Sequence, residues 1–284
     1  MTAVEQVPAL TGALQPGQLI VTLYGLYARE RGGWLSVAAV VRLMADLDVE
    51  EPAVRSSISR LKRRGLLAAR RVDGVAGYAL TEAGAEALAD GDARTFGRRR
   101  AAAGEGWLLA VFSVPEPERD RRHVLRSELT RLGFGTVAPG VWVAPAHLAG
   151  EARDVLRRRG LAGYVELFCG ARPDLGASRE SVCRWWDLDL LHARYADLME
   201  RHRPVPERGA RPCPGEAFGD YVRLLTDWRR LPYADPGLPL ELLPDDWNGA
   251  RAADLFTELR ARLAGPAHEH ALRLIGARDR ALSR

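Results

Sequence analysis

Cysteine is scarce. Cys169, Cys183 and Cys213 are the only three in 284 residues, and no pair has CxxC spacing. That excludes a disulfide scaffold and a structural zinc site of the usual pattern. Lysine is scarcer still. Lys62 is the single lysine among 41 basic residues, a bias that fits a GC-rich genome better than a function. No apolar run reaches the roughly 18 residues of a spanning helix, although hydrophobic residues make up 47 % of the chain. The opening MTAVEQVPALTGALQ has no basic stretch followed by an apolar block, so no secretory signal is expected and the cytoplasm is the expected compartment. There is no GxSxG, no P-loop, no HExxH and no internal repeat. No enzyme, cofactor or metal is therefore expected. The formal charge of +4 is mild.

What is present divides into segments, and the length predicts two or three domains. Residues 1–16 are small and unpatterned, and read as a flexible arm. Over 17–92 the order is helix, strand stub, helix, helix, hairpin. Leu19, Leu23 and Leu26 form the stripe of a first helix ending near Arg31 at Gly32-Gly33. Ser36 caps a second helix with Val37, Val40, Val41 and Met44 on its apolar face. Pro52 opens a third helix that stops at Gly65, Asp73-Gly74 signals a hairpin, and Thr81 caps a helix through Ala89. This order is that of a winged helix-turn-helix. Residues 93–105 read as a linker. Residues 106–178 read as β-α-β-β-α-β, the ferredoxin-like pattern, with Cys169 as a small buried hydrophobe. Residues 179–284 read as a helical domain. Residues 183–203 form one long helix there, a prolyl loop precedes a helix near 216–230, 231–249 is irregular, and helices cover 250–263 and 266–276. The fold class is thus α+β and multidomain.

The third helix carries the sharpest signal. At 100° per residue, Val54, Ile58 and Leu61 converge on one side and must face the core. Ser56, Ser59, Arg60 and Arg63 lie opposite, with Arg55 and Lys62 on one flank and Ser57 and Arg64 on the other. Seven basic residues and no acidic one lie between Arg55 and Arg71. Small hydroxyls beside arginines let a helix enter the major groove, where side chains reach base edges and flanking cations meet phosphates. Arg70 and Arg71 sit where a wing would touch the backbone. One such helix specifies few base pairs, so a homodimer on an inverted repeat is expected. The enzyme signals are weaker. Gly133-Phe-Gly135-Thr-Val-Ala138 follows a helix and leads into a strand, the reverse of a dinucleotide site. His268 and His270 read as surface histidines, and Asp245-Asp246 as loop and cap.

Three runs, VRSSISRLKRRGLL (54–67), LGFGTVAPGVWVAP (132–145) and YVRLLTDWRRLPYADPGLPLELLPDDWNGARAADLF (221–256), resemble the PaaX family of phenylacetate-catabolism repressors. The resemblance covers about 18–276. It implies a dimeric transcriptional regulator that binds duplex operator DNA and is released by an aryl-CoA thioester, typically phenylacetyl-CoA, with no membrane partner. It implies Arg55, Ser56, Ser59, Arg60, Lys62, Arg63 and Arg64 as the DNA-reading set and no catalytic residue. The middle segment is also similar to the small CRISPR-associated endoribonuclease fold, whose metal-holding Asp at the end of the first strand is missing here. Val111-Phe112-Ser113-Val114-Pro115-Glu116 stands in its place. That departure favours a dimerisation scaffold over a metal-dependent nuclease. A CoA ester calls for Arg, aromatic surface and an apolar pocket. Arg184, Trp185, Trp228, Arg229, Arg230, Tyr233 and Trp247 are the candidates. A different small-molecule effector, or a helix-turn-helix that serves protein contacts, are the alternative readings.

Overall fold

The computed structural model describes residues 14–97, 99–170, 179–207 and 212–277. Nearly all of the expected 1–16 arm, and Arg98 of the 93–105 segment, lie outside them. The described residues form an α+β chain with two antiparallel sheets and two compact units. One unit holds 14–93, 197–229 and 252–277; the other holds 94–196 and 230–251. Residues 179–277 contribute to both.

The N-terminal segment begins with α1 (Pro16–Leu23), which continues through a π turn at Tyr24–Ala28 and a 3₁₀ turn at Arg29–Arg31. Gly32 and Gly33, with φ of 72° and 75°, end it. Then follow β1 (Trp34–Ser36), α2 (Val37–Ala45), α3 (Glu51–Arg63), β2 (Leu67–Val72), β3 (Val75–Leu80) and α4 (Glu82–Phe96). The Ser36 Oγ accepts from the Ala39 amide at 3.1 Å, the expected cap, worth about 1 kcal/mol. Asp73 and Gly74 both have positive φ, 49° and 76°, as a two-residue hairpin turn needs. The sheet order is β1-β3-β2. Leu23, Val40, Leu43, Met44, Val54, Ile58 and Leu61 are buried, so three helices share one core. Thr81 caps α4 through the Gly84 amide at 3.0 Å. The helix runs seven residues past the expected Ala89, to Phe96.

The segment read as a linker is tied down. The Ala101 amide donates to the Gly237 carbonyl at 2.8 Å, and Arg100 donates to the Leu238 carbonyl at 2.6 Å. The central segment then runs β4 (Trp107–Phe112), α5 (Arg119–Arg131), β5 (Gly135–Ala138), β6 (Val141–Pro145), α6 (Ala149–Arg158) and β7 (Val165–Gly170). All pairings are antiparallel, in the order β5-β6-β4-β7. Counted within the segment, that is 2-3-1-4. Leu108, Ala110, Leu125, Leu129, Trp142, Val155 and Leu156 form the core beneath the two helices. On the other face Leu109, Val111 and Phe168 are 37 %, 38 % and 57 % exposed. Cys169, on the edge strand β7, is also exposed. The buried position expected for it is not found.

The C-terminal helices are α7 (Arg179–Trp185), α8 (Leu188–His202), the single turn α9 (Pro204–Glu207), α10 (Pro214–Trp228) and α11 (Asn248–Gly276). The single helix expected over 183–203 is broken at Trp186-Asp187. Asp187 Oδ1 accepts from the Leu190 amide at 2.9 Å and restarts the chain as α8. The Trp186 Nε1–H donates to the Gly133 carbonyl at 2.9 Å, drawing the break onto the central segment. The two helices expected over 250–276 are one, with Pro266 inside it. Proline removes one helical hydrogen bond. Leu259, Leu263, Ala267 and Ala271, at four-residue spacing, are all fully buried and hold the two halves in line.

Candidate nucleic-acid interface

Helix α3 forms because its apolar residues recur at helical spacing and Pro52, in the first turn, gives up no needed hydrogen bond. Gly65, at φ 72°, ends it, its amide donating to the Lys62 carbonyl at 2.9 Å. Burying Val54, Ile58 and Leu61 contributes roughly 1.5–3 kcal/mol each and fixes which side faces out. Arg55, Ser56, Ser59, Arg60, Lys62, Arg63 and Arg64 are all exposed.

Ser57, counted with the outward set by wheel spacing, is 1 % exposed. It falls between Val54 and Leu61 on the inner flank, where its hydroxyl accepts from the Arg60 guanidinium at 2.9 Å. It aims Arg60 and does not itself face outward. Arg55 donates through Nε to Glu51 at 2.8 Å, one turn back, so its charge is compensated. Lys62 Nζ lies 5.7 Å from the Tyr78 ring centroid, which ties α3 to β3 by a cation–π contact.

Arg70 and Arg71 are exposed on β2, an edge strand. Trp34 holds this strand from across the sheet, its indole N–H donating to the Arg70 carbonyl at 3.1 Å. The indole passes over Gly77 of β3, where a Cβ would stand 2.4 Å from the ring. Arg71 donates to the Gly74 carbonyl at 3.0 Å and braces the turn. The wheel had no means to find Trp34 or Gly77. Their signal is a glycine inside an otherwise good strand pattern.

The proposed effector residues are occupied as follows. Arg184 pairs with Glu180 at 3.2 Å. Trp185 stands edge-on to Trp107 at 6.0 Å. Trp247 is buried against His192 and Tyr195, with ring centroids at 5.7 and 5.8 Å. The Arg94 guanidinium covers the Tyr233 ring at 5.0 Å. Arg230 is 8 % exposed. Trp228 stacks on Phe256 at 4.4 Å and 8°, and Arg229 lies 3.8 Å from Asp92. These aromatic faces are largely taken up in packing. The sequence reading missed a buried polar cluster: Asp227, 3 % exposed, accepts from Arg201 at 2.9 Å and lies 3.1 Å from His202 Nε2.

The weaker candidates are also placed. Glu116 pairs with Arg122 at 3.1 Å and Asp245 with Arg179 at 2.6 Å. His268 and His270 are half-buried: His268 packs on the Tyr27 ring at 6.0 Å and His270 reaches Asp46 at 2.6 Å. Among the described residues no group of three or more His, Cys, Asp or Glu is placed to hold a metal, and no helix is long and apolar enough to cross a membrane.

Family models match in three blocks. The PaaX-like protein model matches residues 15–84, the PaaX protein central Cas2-like domain 100–182, and the PaaX-like protein C-terminal domain 186–273. The chain is similar to the transcriptional repressor PaaX of Escherichia coli strain K12. They share 28 % identity over 253 residues, covering 87 % of this chain and 79 % of that protein. A solved structure, the uncharacterized protein Rv0674 from Mycobacterium tuberculosis, shares the fold at TM-score 0.56 and 22 % identity. That match covers 89 % of this chain and 97 % of the other. With all three blocks matched in order along its length, this chain belongs to the PaaX family of transcription regulators.

Proposed function

We propose that this chain is a cytoplasmic DNA-binding repressor, acting as a homodimer on an inverted-repeat operator and released by an aryl-CoA thioester. In this reading residues 17–92 are a winged helix-turn-helix, α3 is the recognition helix and the β2–β3 hairpin is the wing. Residues 106–178 are a ferredoxin-like domain, for which the 2-3-1-4 strand order speaks. It dimerises through the open sheet face of Leu109, Val111 and Phe168. Residues 179–284 receive the effector. The observation that carries the reading is the outward side of α3. Its exposed serines and arginines lie over an underside of buried Val54, Ile58 and Leu61, so the helix can present a slim cationic face without losing its core. Release follows if the effector prefers a state whose recognition helices are mis-spaced. A tenfold loss of occupancy needs about 1.4 kcal/mol of preference.

The test is a mobility shift on the promoter region upstream of the chain's own gene, with and without phenylacetyl-CoA. The parent is expected to shift the fragment and the thioester to reverse the shift. Arg60→Glu with Arg63→Glu is expected to abolish binding while the protein melts as the parent does. Undiminished binding by that folded double variant overturns the assignment of α3. An unchanged shift across several CoA esters removes the effector and leaves DNA binding standing.

A further inference from the structure

The turn between α2 and α3, residues 46–50, is gripped by residues more than 170 positions away. Arg223 of α10 donates to Asp48 Oδ2 at 2.8 Å. His270 of α11 lies 2.6 Å from Asp46 Oδ2. Arg42, at the end of α2, donates through Nε to the Leu274 carbonyl of α11 at 2.9 Å. Asp48 is one of two described non-glycine residues with positive φ, at 61°. The turn is thus held in a conformation that few side chains adopt. Beneath these polar contacts Phe218 of α10 packs on the His270 ring at 5.5 Å and on Tyr27 at 6.0 Å.

The sequence of α10 is shaped for this approach. Gly215, Gly219 and Arg223 recur at four-residue spacing and so share one side of the helix. A Cβ at Gly215 would stand 3.4 Å from the His270 ring. One at Gly219 would stand 2.9 Å from the Arg223 guanidinium and 3.9 Å from the Asp46 carbonyl. Glycine is a poor helix former, and at Gly219 its missing side chain leaves room for the Arg223 guanidinium. The Arg223–Asp48 pair itself is open to water, the Asp48 side chain being 91 % exposed. Its contribution to global stability is therefore small, and what it can do is fix position.

We propose that Arg223 and His270 are positioning residues for DNA reading. They clamp the turn that launches α3, so that the C-terminal helices set the angle at which α3 is presented. This rests on the reading of α3 as the recognition helix. A change that loosens α10 or α11 then alters operator affinity without touching any DNA-facing residue.

The full-length parent is compared with Arg223→Ala, Arg223→Lys, His270→Ala and Gly219→Ala. Hydrogen exchange over 46–53 and affinity for the promoter fragment are both measured. Arg223→Ala and His270→Ala are expected to speed exchange at the turn at least fivefold, with global melting unchanged. Specific affinity should weaken about fivefold while binding to unrelated duplex stays within twofold. Arg223→Lys should restore most of the loss. Gly219→Ala, which favours the helix but displaces the Arg223 guanidinium, is expected to speed turn exchange as well, a direction opposite to helix propensity. Unchanged exchange at 46–53 in Arg223→Ala and His270→Ala overturns the clamp, as does specific affinity within twofold of the parent. If the parent binds no duplex at all, the reading of α3 falls, and the exchange data still decide the clamp.

Discussion

Replacing Gly77 by alanine tests how the hairpin is held. The new Cβ would lie 2.4 Å from the Leu35 carbonyl oxygen and 2.4 Å from the Trp34 indole. The first neighbour is backbone of β1, paired with β3 through Leu35↔Tyr78 and Ser36↔Gly77, and it cannot swing aside. The second can leave, but only by giving up its bond to the Arg70 carbonyl. Overpacking of this kind costs roughly 1–3 kcal/mol, and the lost hydrogen bond about 1 kcal/mol more, for a total near 2–4 kcal/mol. At about 2–4 °C per kcal/mol for a unit of this size, the melting temperature should fall by about 5–15 °C. Calorimetry reads that fall directly. Trp34→Phe, which keeps a ring and loses only the donor, should cost about 1 kcal/mol. A Gly77→Ala variant that melts within about 2 °C of the parent would refute the reasoning, because it would mean that β1 and β3 separate freely.

Two further outcomes follow from the same structure. Burial, with Tyr78 nearby for Tyr24 and Tyr221 for Tyr27, pushes both phenols well above the ordinary tyrosine range. The unfolded chain releases these protons near pH 10 and the folded one does not. The stabilisation is therefore full below about pH 10 and is lost as the pH rises further. Circular dichroism melts at pH 8 and 11 should show the drop, and Tyr27→Phe should reduce it; equal melts at both values would contradict the burial argument. On the dimer proposed above, Leu109→Asp with Phe168→Asp charges the open sheet face and should lower the mass seen in sedimentation from dimer to monomer with little loss of fold, whereas a parent that is itself monomeric, or an unchanged dimer mass, would refute that interface.

The elements with strong local signals were legible in sequence. Ser36, Pro52, Gly65 and Asp73-Gly74 each carry a local backbone rule, and each stands where that rule puts it. Two failures came from rules that long-range packing overrode. Pro266 should end a helix by local chemistry, yet the buried stripe from Leu259 to Ala271 keeps it whole. The 183–203 run has unbroken helical periodicity, yet Trp186 finds the Gly133 carbonyl and Asp187 offers a cap. The surface of α3 was readable because an amphipathic helix states its own inside and outside. Ser57 was misplaced by a single flank, since wheel angles cannot say how far a core reaches around a helix. The contacts of Arg223 and His270 had no local signature, because their partners lie at separations of 175 and 224 residues.

The charge distribution gives those distant contacts a second role. Residues 14–93 hold ten basic and ten acidic side chains, so the N-terminal segment has no net charge with which to attract a polyanion. Its cationic character is one of arrangement. The run from Arg55 to Arg71 is wholly basic, whereas Asp46, Asp48, Glu50 and Glu51 crowd into the turn and first residue that lead into α3. Four carboxylates there would repel any phosphate brought up to the start of the helix, at separations where salt screens little. Three of the four are engaged: Glu51 by Arg55, Asp48 by Arg223 and Asp46 by His270. Arg223 comes from a C-terminal helix, so a contact that holds the turn in place also compensates one of its charges. The face that α3 presents therefore depends on residues far along the chain both for its angle and for the strength of the field at its leading end.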